Sequence, residues 1–176
     1  GNFQALGTVA HEAKHVVSLY HRLLEYEATG TYEGHPGWIE EGTAEVAGEM
    51  SARIAWAARG GPDPGEEISR TDFGDYQQAT GNAFDASNYS IALKMARTVN
   101  YLSSQPNSLV VAPDHPDSNG VVYGSGWLFH RWMADAYGGA GNGPLADSAL
   151  FRALADPTSA AGKAGLAQET GKALME

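Results

Sequence analysis

The chain has 176 residues, enough for one domain with its own apolar core. Its net charge of -10 and pI of about 4.9 are the wrong sign for binding a phosphate backbone, and no apolar run approaches the length of a membrane span. There is no cysteine, so thiolate metal sites, disulfides and cysteine nucleophiles are excluded, and any transition-metal site must use histidine and carboxylate.

In chain order, Leu6, Val9, Ala10, Ala13, Val16, Val17, Tyr20, Leu23 and Leu24 recur at i, i+3, i+4 and predict a long amphipathic helix from Phe3 to Glu27. Gly30, Gly34 and Pro36 end it. A second helix is expected from Trp38 to Arg59, stopped by Gly60-Gly61-Pro62. The polar, acidic, glycine-rich stretch over residues 61–87 reads as a long solvated loop. A third helix follows from Asn88 to Ser103, then a second loop over residues 105–120, where Val110 and Val111 suggest a short strand. A fourth helix runs from Val122 to Tyr137, and two shorter ones lie near 144–155 and 160–175. Trp38, Trp56, Trp127 and Trp132 read as core residues. The fold class is mainly α, in one domain over residues 1–176, with no internal repeat.

The chemistry begins in the first helix. His11-Glu12-Ala13-Lys14-His15 is an H-E-x-x-H motif. Residues at i and i+4 sit one above the other on a helix, so both imidazoles can reach one ion. Glu12 lies beside them and can accept a proton from a water that the ion activates. At about 100° per residue, His11 and His15 point nearly opposite the apolar stripe. They would be two solvated histidines unless another element covers them, and the second helix is the candidate cover.

A catalytic zinc with two imidazoles wants one more protein ligand and one open position. The second helix opens Trp38-Ile39-Glu40-Glu41-Gly42-Thr43-Ala44-Glu45 and supplies several carboxylates. Glu41 and Glu45 share a face, so one can ligate while the other hydrogen-bonds a ligand histidine from behind. An acidic first turn favouring the helix dipole is the plainer explanation of these residues.

H-E-x-x-H followed by W-x-x-E-G resembles the gluzincins, zinc peptidases whose third ligand is a glutamate on a second helix. Within them, the chain looks most like the hyicolysin-type metalloproteases. The resemblance covers roughly Gly7 to Gly139. It implies the helical catalytic subdomain of a zincin, a thermolysin-like metallopeptidase, with His11, His15 and Glu41 holding one Zn2+ and Glu12 as general base. It places Glu45 behind the ligands, orienting one of the histidines, with His11 the expected one. Tyr123-Gly124-Ser125-Gly126 is similar to the Y-x-x-G segment of gluzincin aminopeptidases and relatives, which gives Tyr123 the role of oxyanion stabiliser. A helix-start tyrosine packed on Trp127 is the alternative. The resemblance further implies a protein or peptide substrate and a secreted or cell-surface location.

Two departures stand out. The gap between His15 and Glu41 is longer than in the thermolysin-like members. The mixed β-sheet that family members carry ahead of the zinc helix is missing, so the chain reads as a fragment of a longer protein, or a preceding segment of the same precursor supplies the sheet. Among the remaining candidates, His130 shares a helix with Tyr123 and could be a second donor, though such a histidine is more often packed. His35 precedes Pro36 and could line the cleft. Asp114, Asp117 and Asn119 before Gly120 offer oxygen ligands for Ca2+, but the spacing is not that of an EF-hand and turn chemistry explains them equally well. The rival to a peptidase is a non-catalytic, zinc-stabilised binding or structural module on a peptidase scaffold. Hydrolysis of a non-peptide substrate at the same site is a third reading.

Overall fold

The computed structural model describes residues 3–63, 66, 92–103, 121–137, 148–156 and 160–170. Among the described residues six helices occur: α1 (Phe3–Thr29), α2 (Gly37–Ala57), α3 (Ala92–Ser103), α4 (Val121–Tyr137), α5 (Ser148–Ala155) and α6 (Gly162–Thr170). No strand occurs among the described residues. The expected strand at Val110 and Val111, the calcium candidates Asp114, Asp117 and Asn119, and nearly all of the acidic loop lie outside them.

Helix α2 packs between α1 and α4, and α4 packs in turn against α3. The chain leaves α1 through Gly30, whose φ of 73° is the left-handed geometry that glycine accepts without strain. Pro36 then sits extended, and its carbonyl accepts the backbone N–H groups of Ile39 and Glu40, which starts α2. That start fixes which residues face inward. Trp38 and Ile39 enter an apolar cluster with Met133, Leu150, Leu154 and Leu166, which ties the first turn of α2 to α4, α5 and α6. Truncating a buried tryptophan of this kind typically costs about 3–5 kcal/mol.

Helix α1 turns its polar side inward. Ser18 and Arg22 are buried, and His11, Lys14 and His15 are half-buried against α2. The apolar stripe faces out, with Val9 64% and Val16 68% exposed and Leu6, Tyr20 and Leu23 exposed with them. The predicted stripe is present, but among the described residues it is not the side that is covered. The second helix covers the histidine side instead.

The last carbonyls of α5 meet polar groups from α1 and the loop after it. His21 Nδ1 lies 2.5 Å from the Ala155 carbonyl. Arg22 Nη2 donates to the Leu154 carbonyl at 3.4 Å, and His35 Nε2 lies 3.1 Å from the same oxygen. These contacts satisfy carbonyls that a helix C-terminus leaves unpaired, and they favour cationic groups there. Trp38, Trp56 and Trp127 are core residues as expected, whereas Trp132 is half exposed, so that reading is corrected.

Helices α2 and α4 approach closely at two glycines. A Cβ on Gly126 would lie 3.1 Å from the Gly42 Cα, and a Cβ on Gly42 would lie 2.2 Å from His130 Nδ1 and 2.9 Å from the Gly126 carbonyl. His130 is fully buried, and its Nδ1–H donates to the Gly126 carbonyl at 2.7 Å. It is a packed residue between Trp38 and Phe129, not a donor in the cleft.

Gly42→Ala should therefore destabilise the fold by about 1–3 kcal/mol, as overpacking does, read from urea unfolding. Burial pushes the His130 pKa down to about 4. The unfolded chain then binds a proton that the native state refuses, between an unperturbed pKa of about 6.5 and that value. Stability should be full above pH ~6.5 and fall as the pH drops towards ~4, by up to ~3 kcal/mol for this group. Urea midpoints across that range should lose part of this dependence in His130→Leu.

Candidate metal centre

The crossing of α1 and α2 brings His11, His15 and Glu41 to one point. The two Nε2 atoms lie 3.2 Å apart, and Glu41 Oε2 lies 3.3 Å from that of His11 and 3.6 Å from that of His15. A tetrahedral ion with bonds of about 2.0–2.1 Å separates its donors by roughly 3.3–3.4 Å, which is the spacing zinc requires. Calcium's longer bonds give similar separations, but calcium takes oxygen donors and two of these three are imidazole nitrogens. The donor set and its dimensions fit Zn2+.

Proton placement points the same way. His11 Nδ1 faces Glu45 Oε1 at 3.5 Å, and His15 Nδ1 faces Glu40 Oε2 at 3.4 Å. With an ion among the three atoms, each Nδ1 would carry its proton towards the carboxylate it faces, and each Nε2 would present its lone pair. Glu41 Oε2 is buried and accepts no hydrogen bond. Three possible ligand atoms therefore converge, an arrangement suited to a cation. With no ion between them, the nearby His11 outweighs burial and, with the charges of His15 and Lys14, holds the Glu41 carboxyl below its usual range, so the oxygen is an anion.

The carboxylates behind the ligands are anchored differently. Glu40 Oε1 accepts from the Ser18 hydroxyl at 2.5 Å, and Glu40 Oε2 accepts from Lys14 Nζ at 2.5 Å. Burial alone would raise the Glu40 carboxyl, but the Lys14 ammonium outweighs it and holds the group below its usual range. Glu45 Oε1 accepts from Arg97 at 3.2 Å, and Glu45 Oε2 is paired with Lys94. Burial pushes both ammonium groups, Lys14 and Lys94, below the usual lysine range.

The part of Glu40 is new relative to the sequence reading, which placed Glu45 behind the ligands and left Glu40 without a role. Two adjacent glutamates opposite a histidine with a lysine one position before it were the available signal. A helix wheel of α2 alone does not reveal it, because Glu40 reaches a different face of α2 from Glu41 and meets α1 from the other side.

Glu12 and Tyr123 line one cavity with His11, Glu45, Lys94 and Arg97, about 280 Å³ in volume. Glu12 is exposed to it. The Tyr123 ring lies 6.4 Å from that of His11, centroid to centroid, and the Arg97 guanidinium sits 5.0 Å over the same ring. Tyr123 stands in the first turn of α4. Gly124, next to it, lets α4 press against the backbone of Arg97 and Thr98 in α3, where a Cβ would meet the Arg97 carbonyl carbon at 2.3 Å. His21 and His35 lie at the α5 end and take no part in the centre.

No family model, curated protein or solved structure compared with this chain matches it.

Glu41→Ala should abolish stoichiometric zinc uptake in elemental analysis, because it removes the only donor oxygen of the described cluster. Glu40→Ala should keep one zinc but bind it about 10–100-fold more weakly, the usual cost of losing a group that orients a ligand histidine.

Proposed function

We propose that this chain carries the helical catalytic half of a zinc metallopeptidase of the gluzincin kind. The observation that supports the reading best is the convergence of three ligand atoms at near-tetrahedral spacing, with Glu12 and Tyr123 lining the cavity beside them. Zinc held there supplies Lewis acidity, which polarises a carbonyl and makes a water acidic near neutral pH.

The chain's own residues do the rest. Glu12 takes a proton from the attacking water and delivers it to the leaving amine. It suits that task because it is exposed to the cavity and is drawn into no ion pair among the described residues. The Tyr123 phenol donates to the oxyanion as it forms. Glu40 and Glu45 keep the two imidazoles in the tautomer that offers Nε2. Nothing covalent is required, in keeping with a chain that has no cysteine.

Among the described residues only three histidine and carboxylate side chains form the cluster. That supports a catalytic site with an open position over a closed structural one. The outward stripe of α1 supports a second part of the reading: a β-sheet from the same precursor would find an apolar seat on Leu6, Val9, Val16 and Tyr20. With the gluzincin resemblance come its substrate class, protein or peptide, and its location, outside the cell or at its surface.

Glu12→Gln should retain one equivalent of zinc and lose peptide hydrolysis by at least 10²-fold. Tyr123→Phe should lower kcat by about 10–10³-fold with zinc affinity unchanged. Full peptide cleavage by Glu12→Gln would sink the mechanism. Zinc binding by the wild-type chain together with no cleavage of a peptide library would favour the binding-module rival.

A further inference from the structure

Glu40, Glu41 and Glu45 all stand beside the same two imidazoles, and by chemistry any of them could ligate the ion. What separates them is how their oxygens are occupied. Glu40 is filled on both sides, by the Ser18 hydroxyl on Oε1 and by Lys14 on Oε2. Glu45 is filled in the same manner, by Arg97 on Oε1 and by Lys94 on Oε2. Only Glu41 presents a buried oxygen with no donor.

The two lysines are matched in environment as well as partner. Lys94 is 5% exposed, and the Lys14 side chain is 18% exposed. An ammonium group taken out of water costs several kcal/mol unless a counter-charge compensates it, so each lysine is bound to its carboxylate. Lys14 also donates to the Glu40 backbone carbonyl at 3.2 Å, which fixes the first turn of α2 against α1. Lys94 reaches in from α3, so a helix that contributes no ligand still bears on the metal site.

We propose that Lys14 and Lys94 are positioning residues of the metal centre: each clamps the carboxylate that orients one ligand histidine, and by occupying that carboxylate keeps it from competing with Glu41 for the ion. The chains of contact are Lys14–Glu40–His15 and Lys94–Glu45–His11. This rests on the metal-binding part of the reading above and not on peptide cleavage. Without its lysine, each carboxylate keeps only its second donor, Ser18 for Glu40 and Arg97 for Glu45, and one oxygen is freed beside the ligand histidines. The carboxylate then loses its fixed place, and the histidine loses its orientation.

The test uses the full chain, with zinc affinity from chelator competition and the visible absorption of the Co2+ form. Lys14→Met and Lys94→Met should each weaken zinc binding by about 10–100-fold and alter the Co2+ spectrum. Because each lysine acts through one glutamate, Lys14→Met with Glu40→Gln should bind no more weakly than the weaker single variant, and likewise Lys94→Met with Glu45→Gln. Unchanged affinity and spectrum in the lysine variants would overturn the proposal, as would losses that multiply within either pair. Urea unfolding of the metal-free variants guards against a merely structural role: affinity losses that simply track lost stability also overturn it. If the wild-type chain takes up neither zinc nor cobalt, the metal reading itself fails. If it binds zinc but cleaves no peptide, only the peptidase reading fails and the lysine test stands.

Discussion

Two helices cross here with their polar faces together, and the rest of the structure answers to that choice. Burying His11, Lys14, His15 and Ser18 of α1 against the carboxylates of α2, with Arg22 beside them, is costly unless every charge is met, because an unpaired buried ion costs several kcal/mol. Nearly every group is met. Lys14 and Ser18 satisfy Glu40, Lys94 and Arg97 satisfy Glu45, and Arg22 pairs with Glu25 at 2.9 Å and reaches the end of α5. The exception among the described residues is Glu41 Oε2, and it lies where the two imidazole Nε2 atoms meet. A polar interface so completely compensated elsewhere makes one uncompensated oxygen informative.

Most helices could be read from the sequence because their punctuation is local. Gly30 and Pro36 separate α1 from α2 through φ preferences that hold in any context, and the bounds of these two helices and of α4 fall within two residues of the periodicity. The side of α1 that is covered could not be read. A stripe of Leu6, Val9, Val16 and Tyr20 shows where the apolar side lies, but which side meets a neighbour depends on the neighbour. Trp132 was misread for a simpler reason: five residues after Trp127 it stands about 140° further round α4, and it faces outward.

The candidate site divides along the same line. His11, Glu12 and His15 are held by i, i+4 geometry within one helix, so their spacing carries the information. Glu41 required a choice among carboxylates that spacing alone left open, and family resemblance made it. Glu40 could not be assigned, because its partners Lys14, His15 and Ser18 all lie on α1 and the pairing depends on the crossing. Gly42 and Gly126 belong to the same category. Each looks like an ordinary helix glycine until α2 and α4 are brought together.

The glycine crossing has a bearing on the chemistry. Gly42 directly follows Glu41, the proposed third ligand, and α4, which Gly126 brings against it, also carries Tyr123. The contact acts as a spacer gauge: the thickness of two side-chain-less residues sets how far the carboxylate on one helix stands from the phenol on the other. A methyl group on Gly42 would meet His130 Nδ1 at 2.2 Å, so the helices would have to shift, and the carboxylate and the phenol with them, with no residue of the cavity changed. On the proposed reading, activity is then set in part from a place that touches neither ion nor substrate.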